Sequence, residues 1–197
     1  MSKSINILDI CFGIGYNTFA TIYYCLKYNI KTKINFYSPE FDEELIKNLK
    51  EFDYPKEFDT IKYIINEVSD NSYYKDEQFE INIYIGDARK YIKKLNNIDI
   101  VYQDAFSSEV NKELWTQEYF SDIVNTLTSN AIITTYSIAT PIRLSMSNNK
   151  LFIYQHILPN KRKATLATNY KLDDNSFKYI DMDRKLLNNP RAKALTD

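Results

Sequence analysis

Four acids, Asp9, Glu40, Asp87 and Asp104, stand where apolar runs meet turns. In open α/β sheets, ligands bind at the carboxyl ends of strands. Asp9 lies in Leu8-Asp9-Ile10-Cys11-Phe12-Gly13-Ile14-Gly15-Tyr16-Asn17, where an apolar run passes into a Gly-x-Gly turn and then a helical pattern. Glycines at such a turn let the backbone approach a ligand, with a helix N-terminus behind it. A dinucleotide fingerprint would place a third glycine where Thr18 stands, so that fingerprint is incomplete. Glu40 follows the second apolar run, where a carboxylate would accept from both hydroxyls of a ribose. Asp87, in Ile85-Gly86-Asp87-Ala88, is placed to accept from an adenine amino group. Asp104, in Gln103-Asp104-Ala105-Phe106, closes the fourth run, where a transferred group would lie. Singly, each acid reads as a helix cap or a solvated loop residue; together they predict a nucleoside-cofactor pocket.

Read from the acid, Asp9-x-Cys11-x-Gly13-x-Gly15 resembles the acid-x-Gly-x-Gly-x-Gly turn of class I methyltransferases, with Cys11 in the first glycine position. The predicted cofactor is S-adenosyl-L-methionine (SAM). Its expected contacts are Asp9, Phe12, Gly13, Gly15 and Asn17 at the turn, Glu40, Asp87 and Ala88 at the next two strand ends, and Asp104 nearest the methyl. Asp104 is also the expected catalytic residue. An alkylammonium has a pKa near 10, like lysine, and must lose a proton before its lone pair can attack. A carboxylate beside the amine can accept an N–H and aim that lone pair.

The segments Cys11–Asn17, Gln103-Asp104-Ala105-Phe106, Asn111-Lys112-Glu113-Leu114-Trp115-Thr116 and Thr135-Tyr136-Ser137-Ile138-Ala139 together resemble the MnmC-type tRNA methyltransferases, in motif order from about Ile5 to Asn169. The resemblance implies methylation of 5-aminomethyl(2-thio)uridine at the tRNA wobble position, giving the 5-methylaminomethyl form. It also implies a stand-alone domain, with a separate FAD-dependent tRNA oxidase acting upstream. Phe106, Tyr136 and Ser137 would line the substrate side. Trp115 reads either as a ring flanking an extruded base or as a core residue ahead of a helix. Lys161-Arg162-Lys163 reads either as a phosphate-contact cluster or as a solvated turn. The sequence departs from the family at Cys11, and it begins almost on its first strand where the family usually carries a further N-terminal segment. Rival readings are a nicotinamide-dependent oxidoreductase, an aminopropyltransferase and an RNA-binding scaffold with an inactive pocket.

The elements that must position these residues alternate between β-rich runs and amphipathic stretches, which predicts a Rossmann-like α/β fold. Seven strands are expected, at Ile5–Ile10, Lys33–Tyr37, Glu80–Ile85, Ile98–Gln103, Ala131–Ser137, Leu151–Gln155 and Ala164–Thr168. The last should be antiparallel, because the loop before it is too short for a parallel crossover. Helices on both faces are expected over Asn17–Tyr28, Asp42–Lys50, Lys56–Ser69, Ala88–Leu95, Gln117–Leu127 and Pro141–Ser147. Thr116 and Thr140 are the expected N-caps of the last two, with Trp115 and Phe120 as a staple at the former. Asp70–Gln78 reads as a surface excursion. Residues 1–170 form the expected methyltransferase domain, with 171–197 a basic, polar extension packed on it.

Composition narrows the chemistry further. With 197 residues, 44% hydrophobic and 26% charged, the chain can bury a core. Cys11 and Cys25 lack metal or disulfide-framework spacing, and His156 is the single histidine. No metal is expected, since zinc sites and Ser-His-Asp triads draw on imidazole. No run is long and apolar enough to span a bilayer and no leader pattern opens the chain, so a cytoplasmic protein with no membrane partner is expected. Net charge is −1, but residues 139–197 carry eleven Lys/Arg against five Asp/Glu. That basic third reads either as a hint of a polyanionic partner or as a solvated tail, and charge alone favours the tail.

Overall fold

The computed structural model describes residues 4–173 and 176–197. The chain divides into two compact units, Met1–Tyr91 and Ile92–Asp197.

In the first unit, β1 (Ile5–Ile10), β2 (Ile34–Glu40), β3 (Tyr73–Lys75) and β4 (Phe79–Ile85) run in the order β3-β4-β2-β1. β1 pairs parallel with β2, and β2 with β4. Ile7, Leu8, Ile10, Ile34, Phe36 and Ile81 are buried along these strands, consistent with near-continuous apolar runs. β3 sits inside the Asp70–Gln78 stretch and pairs antiparallel with β4, which corrects the expectation of a surface excursion. Tyr74, whose ring is buried and whose hydroxyl donates to Asp76 at 2.7 Å, anchors it.

Helix α1 (Tyr16–Lys27) buries Thr18, Phe19, Ile22 and Cys25 on one face. The expected helix over Asp42–Lys50 shortens to α2 (Glu43–Lys47), capped by Asp42 accepting from the Leu45 amide at 2.9 Å, followed by a 3-10 turn at Leu49–Glu51. The stretch after Pro55 begins as a 3-10 helix, Lys56–Ile61, before α3 (Lys62–Asn71).

Helix α4 (Ala88–Ile92) follows β4, and in the second unit β5 (Ile98–Gln103), β6 (Leu127–Thr135), β7 (Phe152–Ile157), β8 (Lys163–Thr168) and β9 (Lys178–Tyr179) run in the order β5-β6-β8-β7-β9. β5 and β6 are parallel; β8 is antiparallel to both β6 and β7, as the short loop required. β9 adds a short antiparallel edge on β7. The described strands therefore number nine, not seven, the additions being β3 and β9.

Helix α5 (Gln117–Val124) stops three residues before the expected Leu127, which already pairs with Ile98 as the start of β6. Thr126 ends it, its hydroxyl and amide both donating to the Ile123 carbonyl. Thr116 caps α5 as expected, accepting from the Tyr119 amide at 3.2 Å. Thr140 does not cap α6 (Thr140–Ser147): it is the first helical residue, and the cap position belongs to Ala139, with no side-chain hydrogen bond. Asp181 caps α7 (Met182–Asn188). No helix among the described residues is long and apolar enough to cross a membrane.

Candidate functional site

The glycine turn is held by a carboxylate from the neighbouring strand. Cys11, Gly13 and Gly15 all have positive φ, at 60°, 55° and 75°. Gly15 is the cap residue of α1, and the Phe19 amide donates to its carbonyl at 2.8 Å. The Gly13 amide donates to Glu40 Oε2 at 2.9 Å, while the Phe41 and Asp42 amides donate to Oε1 at 2.7 and 3.0 Å. A carboxylate offers about four lone-pair positions, so this one is largely occupied by backbone. The Glu40 carbonyl in turn accepts from the Gly86 amide at 2.8 Å. Glu40 thus links the turns after β1 and β4 through its side chain and its backbone.

Asp9 is 1% exposed. Its Oδ2 accepts from the Thr18 hydroxyl at 2.8 Å and its Oδ1 from the Asn17 side-chain amide at 3.2 Å. This explains Thr18 in the place of a third glycine: its hydroxyl ties α1 to β1. Phe12 is buried and meets Phe19 edge to face at 5.6 Å.

Tyr54 also reaches the turn, and no motif in the sequence marks it. Its hydroxyl donates to the Ile14 carbonyl at 2.8 Å, and its ring packs 5.9 Å from Phe19. Burial raises its pKa well above the ordinary tyrosine range, so the phenol remains a donor.

Asp87 caps α4: its Oδ1 accepts from the amides of Arg89 and Lys90 at 2.8 and 3.2 Å. Half-buried Ala88 follows it. Gly86 has φ 144° and a Cβ there would come within 3.0 Å of the Tyr84 ring, so only glycine fits. The Tyr84 ring stacks on Tyr91 at 4.5 Å and 6°, and burial, with smaller contributions from Tyr37 and Tyr84, pushes the Tyr91 phenol up to about 12.

In the second unit, the segment after β5 exposes Asp104, buries Ala105 and exposes Phe106 at 71%. Two aromatic side chains fix its backbone. Trp115 Nε1 donates to the Phe106 carbonyl at 2.7 Å, and the Tyr136 hydroxyl donates to the Ala105 carbonyl at 3.0 Å. Their rings meet edge to face at 6.0 Å. Trp115 is fully buried, so it takes the core role the sequence left open and presents no free face to a base. Tyr136 is half-exposed; burial and then the Asp104 charge raise its pKa. Gln103, fully buried, anchors the strand end by donating to the Leu114 carbonyl at 2.9 Å and accepting from the Tyr119 hydroxyl at 2.7 Å. In the sequence Gln103 stands only as part of a motif, and nothing local marks this role.

Ser137 follows Tyr136, with its amide donating to Thr135 Oγ1 at 3.2 Å. Lys161, Arg162 and Lys163 are exposed on the β7–β8 hairpin. The pairing of Thr135 with Thr165 sets that hairpin beyond the carboxyl end of β6, the end that carries Tyr136 and Ser137. No group of three or more His, Cys, Asp or Glu among the described residues is arranged to hold a metal.

A family model described as S-adenosyl-L-methionine-dependent methyltransferase matches residues 44–170, which include Asp87, Asp104, Trp115 and Tyr136. An uncharacterized protein of Methanocaldococcus jannaschii is 32% identical over 169 residues, 82% of this chain and 45% of its own length. The solved structure of MnmC2 from Aquifex aeolicus superposes with a TM-score of 0.83 at 29% identity, covering 99% of this chain and 62% of the other. Spermidine synthase from Thermotoga maritima shares the fold, with a TM-score of 0.53 at 15% identity, covering 98% of this chain and 62% of the other. The chain thus spans about half to three-fifths of the length of these relatives.

Proposed function

Because this chain belongs to the S-adenosyl-L-methionine-dependent methyltransferases, we propose that it methylates the aminomethyl nitrogen of 5-aminomethyl(2-thio)uridine at the wobble position of tRNA. The observation that carries this reading is the Gln103–Phe106 segment, pinned by Trp115 and Tyr136, in a chain that matches MnmC2 over 99% of its length. The family match sets aside the nicotinamide reading, in keeping with Thr18 in the third-glycine position.

The residues of the first unit fit the cofactor. A Cβ at Gly13 would meet only the Cys11 carbonyl, at 3.8 Å, so the backbone there is open to close approach. Gly13, Gly15, Glu40, Asp87 and Ala88 would hold the adenosine portion, Glu40 through its remaining acceptor capacity. Asp9 and Asn17, joined under the turn, set its shape, and Phe12 supports it from the core. When bound, SAM supplies an electrophilic methyl group on a sulfonium.

Asp104 accepts an N–H from the substrate amine and aims its lone pair; positioning of this kind supplies much of the rate in such transfers. Phe106 and the half-exposed Tyr136 ring offer apolar surface to an extruded base, with Ser137 beside them. Lys161, Arg162 and Lys163 meet the phosphate backbone. In this reading a separate FAD-dependent oxidase in the same cytoplasmic compartment prepares the aminomethyl group.

The test is transfer of labelled methyl from SAM to tRNA that carries 5-aminomethyluridine and to the same tRNA with unmodified uridine. Label is expected in the first alone. Equal label in both, or in neither, contradicts the reading.

A further inference from the structure

Arg143 lies on α6 at 3% exposure, a rare place for a guanidinium. Its Nε donates to Thr165 Oγ1 at 2.9 Å, and the Thr165 hydroxyl donates to the Ser137 carbonyl at 2.5 Å. Nη2 is buried and has no hydrogen-bond partner, and no carboxylate among the described residues pairs with the group. Lys185 is half-buried on α7, which packs against α6. The pKa of each is lowered by burial, and that of Lys185 also by the Arg143 charge.

A buried guanidinium with an unused donor, with a second cation on the helix packed against its own, works against folding. Burying an unpaired charge is costly, and an apolar residue of similar volume commonly does as well or better. The arrangement makes sense when an anion completes it. The first turn of α6 adds to this: Ala139 gives it no side-chain cap, so its amides are without that acceptor.

We infer that Arg143, in the first turn of α6, and Lys185, on the adjoining α7, form a phosphate-binding site. The guanidinium supplies a directed fork, with Thr165 fixing its Nε edge, and Lys185 supplies a second positive charge. The Thr165 bridge ties the site to Ser137, just past the carboxyl end of β6 and next to Tyr136. A backbone phosphate of the RNA substrate is therefore the occupant assigned. That assignment rests on the proposed function, whereas the phosphate site itself does not.

The experiment uses R143M and K185Q with inorganic phosphate as the first probe and tRNA as the second. Phosphate should raise the melting temperature of the parent protein, and the rise should vanish in R143M and shrink in K185Q. Without phosphate, R143M should be at least as stable as the parent, since it replaces a buried, unpaired charge with an apolar side chain of similar size. In the second arm, tRNA affinity should fall about tenfold in R143M, with the salt dependence reduced by about one counterion. A parent protein indifferent to phosphate, or an R143M that keeps the full rise, overturns the site. If R143M does not fold, K185Q decides, and an undiminished rise in that variant overturns it. Loss of the phosphate effect with unchanged tRNA affinity retains the site and overturns its assignment to RNA. A failure of methyl transfer to tRNA bears on the proposed function and leaves the phosphate arm intact.

Discussion

Trp115 and Tyr136 meet edge to face at 6.0 Å and donate to consecutive carbonyls, those of Phe106 and Ala105, directly after Asp104. The pair holds the backbone on which Asp104 rides, and the accuracy of that backbone is what a positioning carboxylate depends on. Tyr136→Phe keeps the ring contact and removes one hydrogen bond. It should lower stability by about 1 kcal/mol. Methyl-transfer kcat should fall about tenfold with SAM affinity unchanged, as expected of a positioning group. Steady-state kinetics beside calorimetry with SAM checks this, and an unchanged kcat would show that the Trp115 contact alone suffices.

Glu40 gathers the amides of Gly13, Phe41 and Asp42 on one carboxylate. Glu40→Ala leaves those donors without their acceptor and removes the predicted ribose contact. SAM affinity should fall more than tenfold, about 1.5–3 kcal/mol, the range for hydrogen bonds to a charged group. Calorimetry with SAM at equal fractions folded gives the number.

Cys11 carries φ 60° at a position where the class has glycine. A left-handed conformation costs a residue with a Cβ about 1–2 kcal/mol, partly offset by the greater freedom of glycine in the unfolded chain. Cys11→Gly should therefore raise stability by up to about 1 kcal/mol. Gly15→Ala should do the reverse and strongly, since its Cβ would clash with the Phe19 ring and lie 2.7 Å from that of Phe12. Denaturant melts of the two variants should move in opposite directions.

The raised phenol of Tyr91 makes an alkaline prediction. Its folded pKa of about 12 lies above the unfolded value near 10, so the unfolded chain releases this proton first. Its contribution is complete below about pH 10 and is lost as pH climbs from there towards 12. Tyr91→Phe should flatten the fall in stability over that window, measurable by denaturant melts across the pH series.

Much of this was legible in the sequence because it is written in local pattern. The apolar runs at Ile5–Ile10 and Ile98–Gln103 end where they were expected to, and Thr116 announces α5. What escaped depends on partners distant in the chain. β3 is three residues long and exists through its pairing with β4, and Leu127 belongs to β6 because Ile98 claims it. Thr140 looked like a cap, yet the chain turns one residue earlier, at Ala139. In the candidate site, the strand-end acids were visible, and the helix-cap reading open to each holds for Asp87; that Glu40 holds backbone was not visible. Tyr54 and Arg143 were invisible, since neither sits in a motif and each matters through contacts 40 and 22 residues away.

The central claim is that the exposed Asp104 carboxylate aims the substrate amine, and Asp104→Asn under single-turnover conditions tests it most directly. The amide keeps the size and shape of the side chain, but it accepts an N–H less well and offsets no positive charge. With the folded state verified by melting and SAM affinity measured in parallel, the rate of methyl transfer to tRNA should fall by about 100-fold or more. SAM affinity should change only modestly and tRNA affinity should stay nearly constant, since phosphate contacts dominate it. A folded Asp104→Asn that transfers methyl at the parent rate would make Asp104 a structural loop residue and contradict the account.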